Sequence, residues 1–227
     1  MPGLNERTDR TMSYDTLKLR HRNERDGYPS NLSLRVHRSL SWLQRAEQLD
    51  DPDSQFIFLW ISFNAAYATE INEEYRTTEK TAFRGFLEKL VSLDVDKQLD
   101  ELTWTEFPRS IRVLLSNRFV FQPFWDHQNG KLSEEEWQDQ FTRAKVAAQS
   151  ALGSEDTATV LGIALSRIYT LRNQLIHGGA TWGSKVNREQ IRDCVALMSQ
   201  LVPVILTIMM DHPETLWGDA CYPVVNE

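Results

Sequence analysis

Arg172-Asn173-Gln174-Leu175-Ile176-His177-Gly178-Gly179 sets an arginine, an asparagine and a histidine at the end of a strongly apolar stretch. Upstream, Leu161, Leu165, Ile168 and Leu171 lead to Leu175 at spacings of three and four, the period of one face of an α-helix. The two glycines predict that this helix stops at once, because glycine tolerates the left-handed conformation that closes a helix C-terminus. Each residue advances about 100° around a helix. Asn173 and His177, four apart, therefore share a stripe, and the long side chain of Arg172 flanks it.

Outward from this octet the chain reads as further helices. Ser30 or Asn31 caps one that carries Leu32, Val36, Leu40, Leu43 and Ala46 inward and ends at Asp50-Asp51-Pro52. A second starts at Asp53-Ser54, and its run from Phe56 to Phe63 is apolar nearly all round, as a central spine requires. Asn64 on that spine reads as a structural hydrogen-bonding residue, with support of an active site as the alternative. Helices are also expected over Thr81 to Leu93 and from Pro108 to about Asn117. The aromatic residues Phe119, Phe121, Phe124 and Trp125 then read as a loop pinned into the core, with base stacking as the functional alternative. Ser133 and Glu136 form a capping box, the motif helix begins near Asp156, and a last helix follows Asn187-Arg188-Glu189-Gln190. Pro203 is expected to kink or split that last helix. No stretch alternates as a strand ladder does, and no fixed period repeats. The expected fold class is all-α, a bundle of about six to seven helices in one domain over residues 30–227. Residues 1–29, mixed in charge and closed by Asp26-Gly27-Tyr28-Pro29, are expected as a loosely held arm.

With 227 residues, 41% of them apolar, the chain can bury one sizeable core. A net charge of −7 argues against broad wrapping by nucleic acid but leaves room for a local basic site. Cys194 and Cys221 make neither a disulfide framework nor a zinc cluster, which fits a reducing cytoplasm. No apolar run is expected to reach membrane-spanning length, and the start of the chain lacks the apolar stretch of a signal peptide. Glycine-rich phosphate loops and the Gly-x-Ser-x-Gly elbow are absent, and no acidic pair stands out as a metal clamp. No metal or cofactor is expected.

The Arg-Asn-x3-His spacing of Arg172, Asn173 and His177 resembles the HEPN family of helical ribonucleases and nucleotide-binding domains. The resemblance, specifically to the Apea-like HEPN branch, extends to the blocks Phe58 to Tyr67, Asn117 to Trp125, Val186 to Gln190 and Tyr222 to Val225, in the same order. It implies a HEPN-like bundle that dimerises with its motif helices facing each other, so that two motifs make one cleft. Arg172 would hold and stabilise a phosphate, Asn173 would orient catalytic groups or substrate, and His177 would transfer protons. RNA carries its own nucleophile in the 2′-hydroxyl, so these groups suffice without a metal. The implied products are a 2′,3′-cyclic phosphate and a 5′-hydroxyl. Lys185, Arg188 and Arg192, opposed only by Glu189 and Asp193, are candidate phosphate guides.

The expected function is thus a metal-independent endoribonuclease, in toxin or antiviral defence, acting on RNA as a homodimer with an antitoxin or activating protein as further partner. The alternative is a noncatalytic HEPN dimer that binds nucleotide, RNA or a partner protein. An Arg/Asn/His set at a helix end also serves simply to cap carbonyls and tie helices together. Family toxins silenced by a nucleotidyltransferase carry a tyrosine two residues after the histidine, where this chain has Gly179, so that mode of control is not implied.

Overall fold

A computed structural model describes residues 13–67, 79–185 and 187–219. Those residues form ten α-helices and no strand: α1 (Tyr14–Glu24), α2 (Ser30–Glu47), α3 (Pro52–Tyr67), α4 (Glu79–Leu93), α5 (Gln98–Glu101), α6 (Pro108–Ser116), α7 (Gln122–Gln128), α8 (Glu134–Gly153), α9 (Thr157–Ile176) and α10 (Arg188–Asp211). The class is all-α, with more helices than the periodicity predicts. The additional ones are α1, α5 and α7. Two are short, with four and seven residues, too few turns to show a period.

Helix α1 corrects the expectation for residues 1–29 over the part described. It is mostly polar, yet Leu17 and His21 turn fully inward against α2. Arg20 bridges to Asp211 at the end of α10 at 2.7 Å, and the Tyr14 amide donates to Glu47 at 3.1 Å. Two inward residues in eleven are too few to read as an apolar stripe, although they suffice to dock the helix. Residues 1–12 lie outside the described residues.

Helix α3 serves as the expected spine, packed along α2 and against α10, with Phe56, Leu59, Trp60 and Phe63 buried. The Ser39 and Ser62 hydroxyls meet at 3.0 Å across the α2/α3 seam, which lets two small polar residues lie buried in close contact. Arg35 is wholly enclosed, and its guanidinium donates to the carbonyls of Ala66, Gly218 and Asp219. It thereby supplies donors at the end of α3, where helix carbonyls lack partners.

Helix α10 is the most enclosed element: Cys194, Leu197, Met198, Leu201, Val202, Ile205, Leu206 and Met209 are all without exposure. Contrary to expectation it is long and apolar enough, by length and composition, to cross a membrane, but 72% of its apolar window is buried inside the fold. Nor is it split at Pro203, through which the helix runs unbroken. Burial pushes the Cys194 thiol well above its usual range. Cys221 and the block from Tyr222 to Val225 lie outside the described residues.

Burial holds the His21 imidazole below its ordinary value of 6.5, and the neighbouring Lys18 and His37 act in the same direction. The unfolded chain therefore binds a proton that the folded chain resists. His21 contributes fully to stability above about pH 6.5 and withdraws that contribution as the pH falls below it. Melting temperature is expected to drop between about pH 7 and about pH 5, above the carboxylate range, and the drop should shrink in His21→Gln. An identical slope in that variant would remove His21 as the cause.

Candidate functional site at the end of helix α9

Both ends of α9 are anchored. At its start the Asp156 side chain caps the amide and hydroxyl of Thr159, which holds its carboxyl below the usual range. Thr157 donates to Asp100 at 2.5 Å and accepts from the Trp104 indole at 2.8 Å. That indole stands in a single π-helical turn, Leu102–Glu106, closed by the Phe107 amide on the Leu102 carbonyl. At its end the Gly178 amide bonds to the Leu175 carbonyl and the Gly179 amide to that of Gln174. This pair of reversed bonds is a Schellman motif, with Gly178 in the left-handed conformation at φ 72°. Gly179 has a separate reason: a Cβ there would stand 3.1 Å from the Gln174 carbonyl oxygen.

Helix α9 therefore stops where the glycines predict, with His177 as its C-cap. The His177 side chain is exposed and has no hydrogen-bond partner among the described residues. Arg172 and Asn173 are half-buried and joined, Arg172 Nη1 donating to Asn173 Oδ1 at 2.9 Å. The structure thus brings two of the three candidate residues into contact and leaves the third free at the helix tip. Arg172 Nε is buried without a partner among the described residues.

The candidate phosphate guides divide. Lys185 and Arg192 are exposed, one in the loop after the motif and one on the first turns of α10. Arg188 is withdrawn: its two terminal nitrogens fork onto the Asp53 carboxylate at 3.2 and 3.0 Å, and its Nε donates to the Ser184 carbonyl at 3.0 Å. A guanidinium so occupied has little left for a phosphate. Asp53 also accepts from the Gly183 amide at 2.8 Å, so one carboxylate fixes the motif's following loop to the first turn of α3. Asn187 does not cap α10 with its side chain; it takes a left-handed conformation and donates to Gln174 at 3.2 Å.

Gln174 is the residue of the octet that sequence reasoning passed over. It accepts from Asn187 and donates to the Phe119 carbonyl at 2.6 Å, joining the motif to both flanking loops. Its signal was its position between named residues, but an amide discloses its partners only in three dimensions. The aromatic segment it reaches is not the core-pinned loop expected: part of it is α7, and Phe121, Phe124 and Trp125 are only half-buried in a cluster against α8, with Phe124 edge-on to Trp137 at 5.3 Å and Phe121 against Phe141 at 5.2 Å. Phe119 itself stays exposed under the Arg118 guanidinium, 4.9 Å from the ring centre.

Two features near the motif were not legible. Arg167, buried on α9, lies 4.2 Å over the Phe121 ring with no carboxylate paired to it among the described residues, and burial lowers its value to about 10. Asn64, expected as structural, lines a pocket of about 310 Å³ with Trp60, Tyr169 and Arg172.

Chemically the site offers an accessible imidazole, a tethered guanidinium and an amide, on a helix end fixed at both sides. Gly178→Val forces a branched side chain into the left-handed region and should cost about 1–2 kcal/mol in denaturant unfolding, with Gly178→Asn milder. Equal stability of the two variants would show that the turn is not closed this way. Asp53→Ala and Arg188→Ala should each cost about 3–5 kcal/mol, and the double variant clearly less than their sum, because each single change strands a largely buried charge. Small additive losses would contradict that coupling. Compared with protein families, with characterised proteins and with solved structures, the chain finds no match.

Proposed function

We propose that this chain is a metal-independent endoribonuclease of the HEPN type, acting as a homodimer whose two α9 ends share one cleft. The observation that supports this most is the exposed, unpartnered His177 at a rigidly closed helix end, with the Arg172–Asn173 pair on the preceding turn. In this reading one His177 takes the proton of the 2′-hydroxyl as that oxygen bonds to phosphorus. The partner copy's histidine returns a proton to the departing 5′-oxygen as its bond to phosphorus breaks. Arg172 neutralises charge on the phosphate oxygens, and Asn173 holds the guanidinium in place. The ends are a 2′,3′-cyclic phosphate and a 5′-hydroxyl, and DNA, lacking the attacking hydroxyl, is left intact.

Apolar side chains suited to an isologous contact flank the motif. Ile176 is 47% and Trp182 79% exposed, and apolar area of this kind is what an isologous contact buries. Lys185 and Arg192 remain available to steer a phosphate backbone, whereas Arg188 acts as scaffold. A cytoplasmic toxin or antiviral effector, restrained or triggered by another protein, is the setting proposed for such an activity. The second reading, a noncatalytic HEPN dimer that binds nucleotide, RNA or a partner protein, draws on Arg172 also lining a pocket with Trp60, Asn64 and Tyr169.

Purified protein incubated with mixed cellular RNA in EDTA should cut it and leave cyclic phosphate ends. His177→Ala should lose about 10²-fold or more of that activity while keeping its melting temperature, and Arg172→Ala should lose it comparably. Full cutting by His177→Ala would end the mechanism. Absence of cutting by every form would favour the binding module.

A further inference from the structure

The pocket between α3, α4 and α9 is built from one kind of wall and one kind of charge. Trp60 and Tyr67 come from α3, Phe83 from α4 and Tyr169 from α9. The Trp60 and Tyr169 rings lie 5.8 Å apart at a tilt, and Tyr67 meets Phe83 edge-on at 5.1 Å. Trp60 is buried, whereas Tyr169 is 37% exposed at the rim, so the aromatic lining runs from the interior to solvent. Such walls accept a flat, polarisable ring.

The polar groups in the lining are few and mostly unengaged. The half-buried Asn64 amide has no hydrogen-bond partner among the described residues, and an amide offers one acceptor and two donors. The Trp60 indole nitrogen and Arg172 Nε are both buried donors without partners among the described residues. The Asn64 amide and the Arg172 guanidinium are the lining groups that an occupant bringing acceptors would meet. Ser166 adds an exposed hydroxyl at the mouth. Arg172 is the only charged residue among the described lining, on a chain whose net charge is −7. The occupant that suits these features has a planar ring edged with acceptors and donors and carries negative charge. At about 310 Å³ the space is at the small end of ligand pockets, too small for a peptide helix.

We infer that this pocket binds one nucleobase with its phosphate on Arg172. This rests on the reading of Arg172 as a phosphate holder, and it makes Trp60, Asn64 and Tyr169 the residues that discriminate among bases. A base seated there leaves its phosphate at the junction of the pocket and the α9 end, because Arg172 belongs to both. The base comes either from single-stranded RNA, unstacked from its neighbours, or from a free mononucleotide.

The test uses full-length His177→Ala protein, so that RNA survives, and follows quenching of tryptophan fluorescence together with competition against a labelled single-stranded RNA decamer. The probes are the decamer, the four nucleoside 5′-monophosphates and ribose 5-phosphate. One or more of the base-bearing probes should bind and differ among bases, while ribose 5-phosphate should not. Tyr169→Ala, at an exposed position, should weaken binding about tenfold, as expected for one lost stacking ring. Ser166→Phe, at an exposed position, should plug the mouth and abolish it with its melting temperature unchanged. Binding of the mononucleotides shows a free-nucleotide site, and binding of RNA alone shows a pocket for a base within a chain. Undiminished binding in both variants, or no binding of any base-bearing probe, overturns the inference. The two readings separate cleanly. Wild-type cutting that persists at full rate with Ser166→Phe removes the pocket and leaves the ribonuclease, whereas variant-sensitive binding without cutting removes catalysis and leaves the pocket.

Discussion

The forked pair between Asp53 and Arg188 is the contact on which the geometry of the helix tip depends. Its members stand on the first turns of α3 and α10, and the same carboxylate holds the Gly183 amide of the loop between the motif and α10. An arginine on the first turn of a helix lies at the positive end of the helix dipole, an unfavourable place without a counter-charge. Asp53, at the corresponding end of α3, is favourably placed toward its own helix and neutralises the neighbour. With the pair largely buried, the loop carrying Trp182 and Lys185 has one register against the core. The Schellman turn then sets where His177 emerges, and the Thr157 cluster sets where α9 begins.

The enclosed arginines show how this acidic chain spends its cations. Arg35 is buried among backbone carbonyls, Arg188 against a carboxylate, and Arg167 over aromatic rings with no carboxylate paired to it among the described residues. Each solution satisfies the guanidinium inside the fold and removes it from outside chemistry. Arg172 is treated differently. Among the described residues only one of its nitrogens has a protein acceptor, the Asn173 side chain, which orients the group without cancelling its charge. An uncancelled, oriented cation beside an aromatic pocket is what sets this part of α9 apart from the rest of the bundle.

Legibility followed the range of the forces involved. The all-α class, the capping box of α8 and the stop of α9 depend on neighbours within a turn or two, and the residues carry those instructions locally. Helix α1 was missed because two inward residues dock it onto surfaces far away in the chain, and α5 and α7 because they are too short to repeat. Pro203 was expected to kink or split α10, and the helix is not split there, because burial around the proline keeps its two halves together. The apolar length of α10 was likewise not recognised beforehand, and its meaning comes from the elements that cover it.

At the site the sequence by itself determined which side chains share the end of α9 and that two glycines close it, because helical spacing and backbone chirality are properties of a few consecutive residues. Tertiary structure alone decided which cations are available. Arg172, Arg188 and Arg192 carry the same side chain, yet one lines a pocket, one is locked to Asp53 and one is left in solvent. The physical reason is that the free energy of a charge depends on its distance to countercharge and water, and those distances are set by residues far apart in the chain.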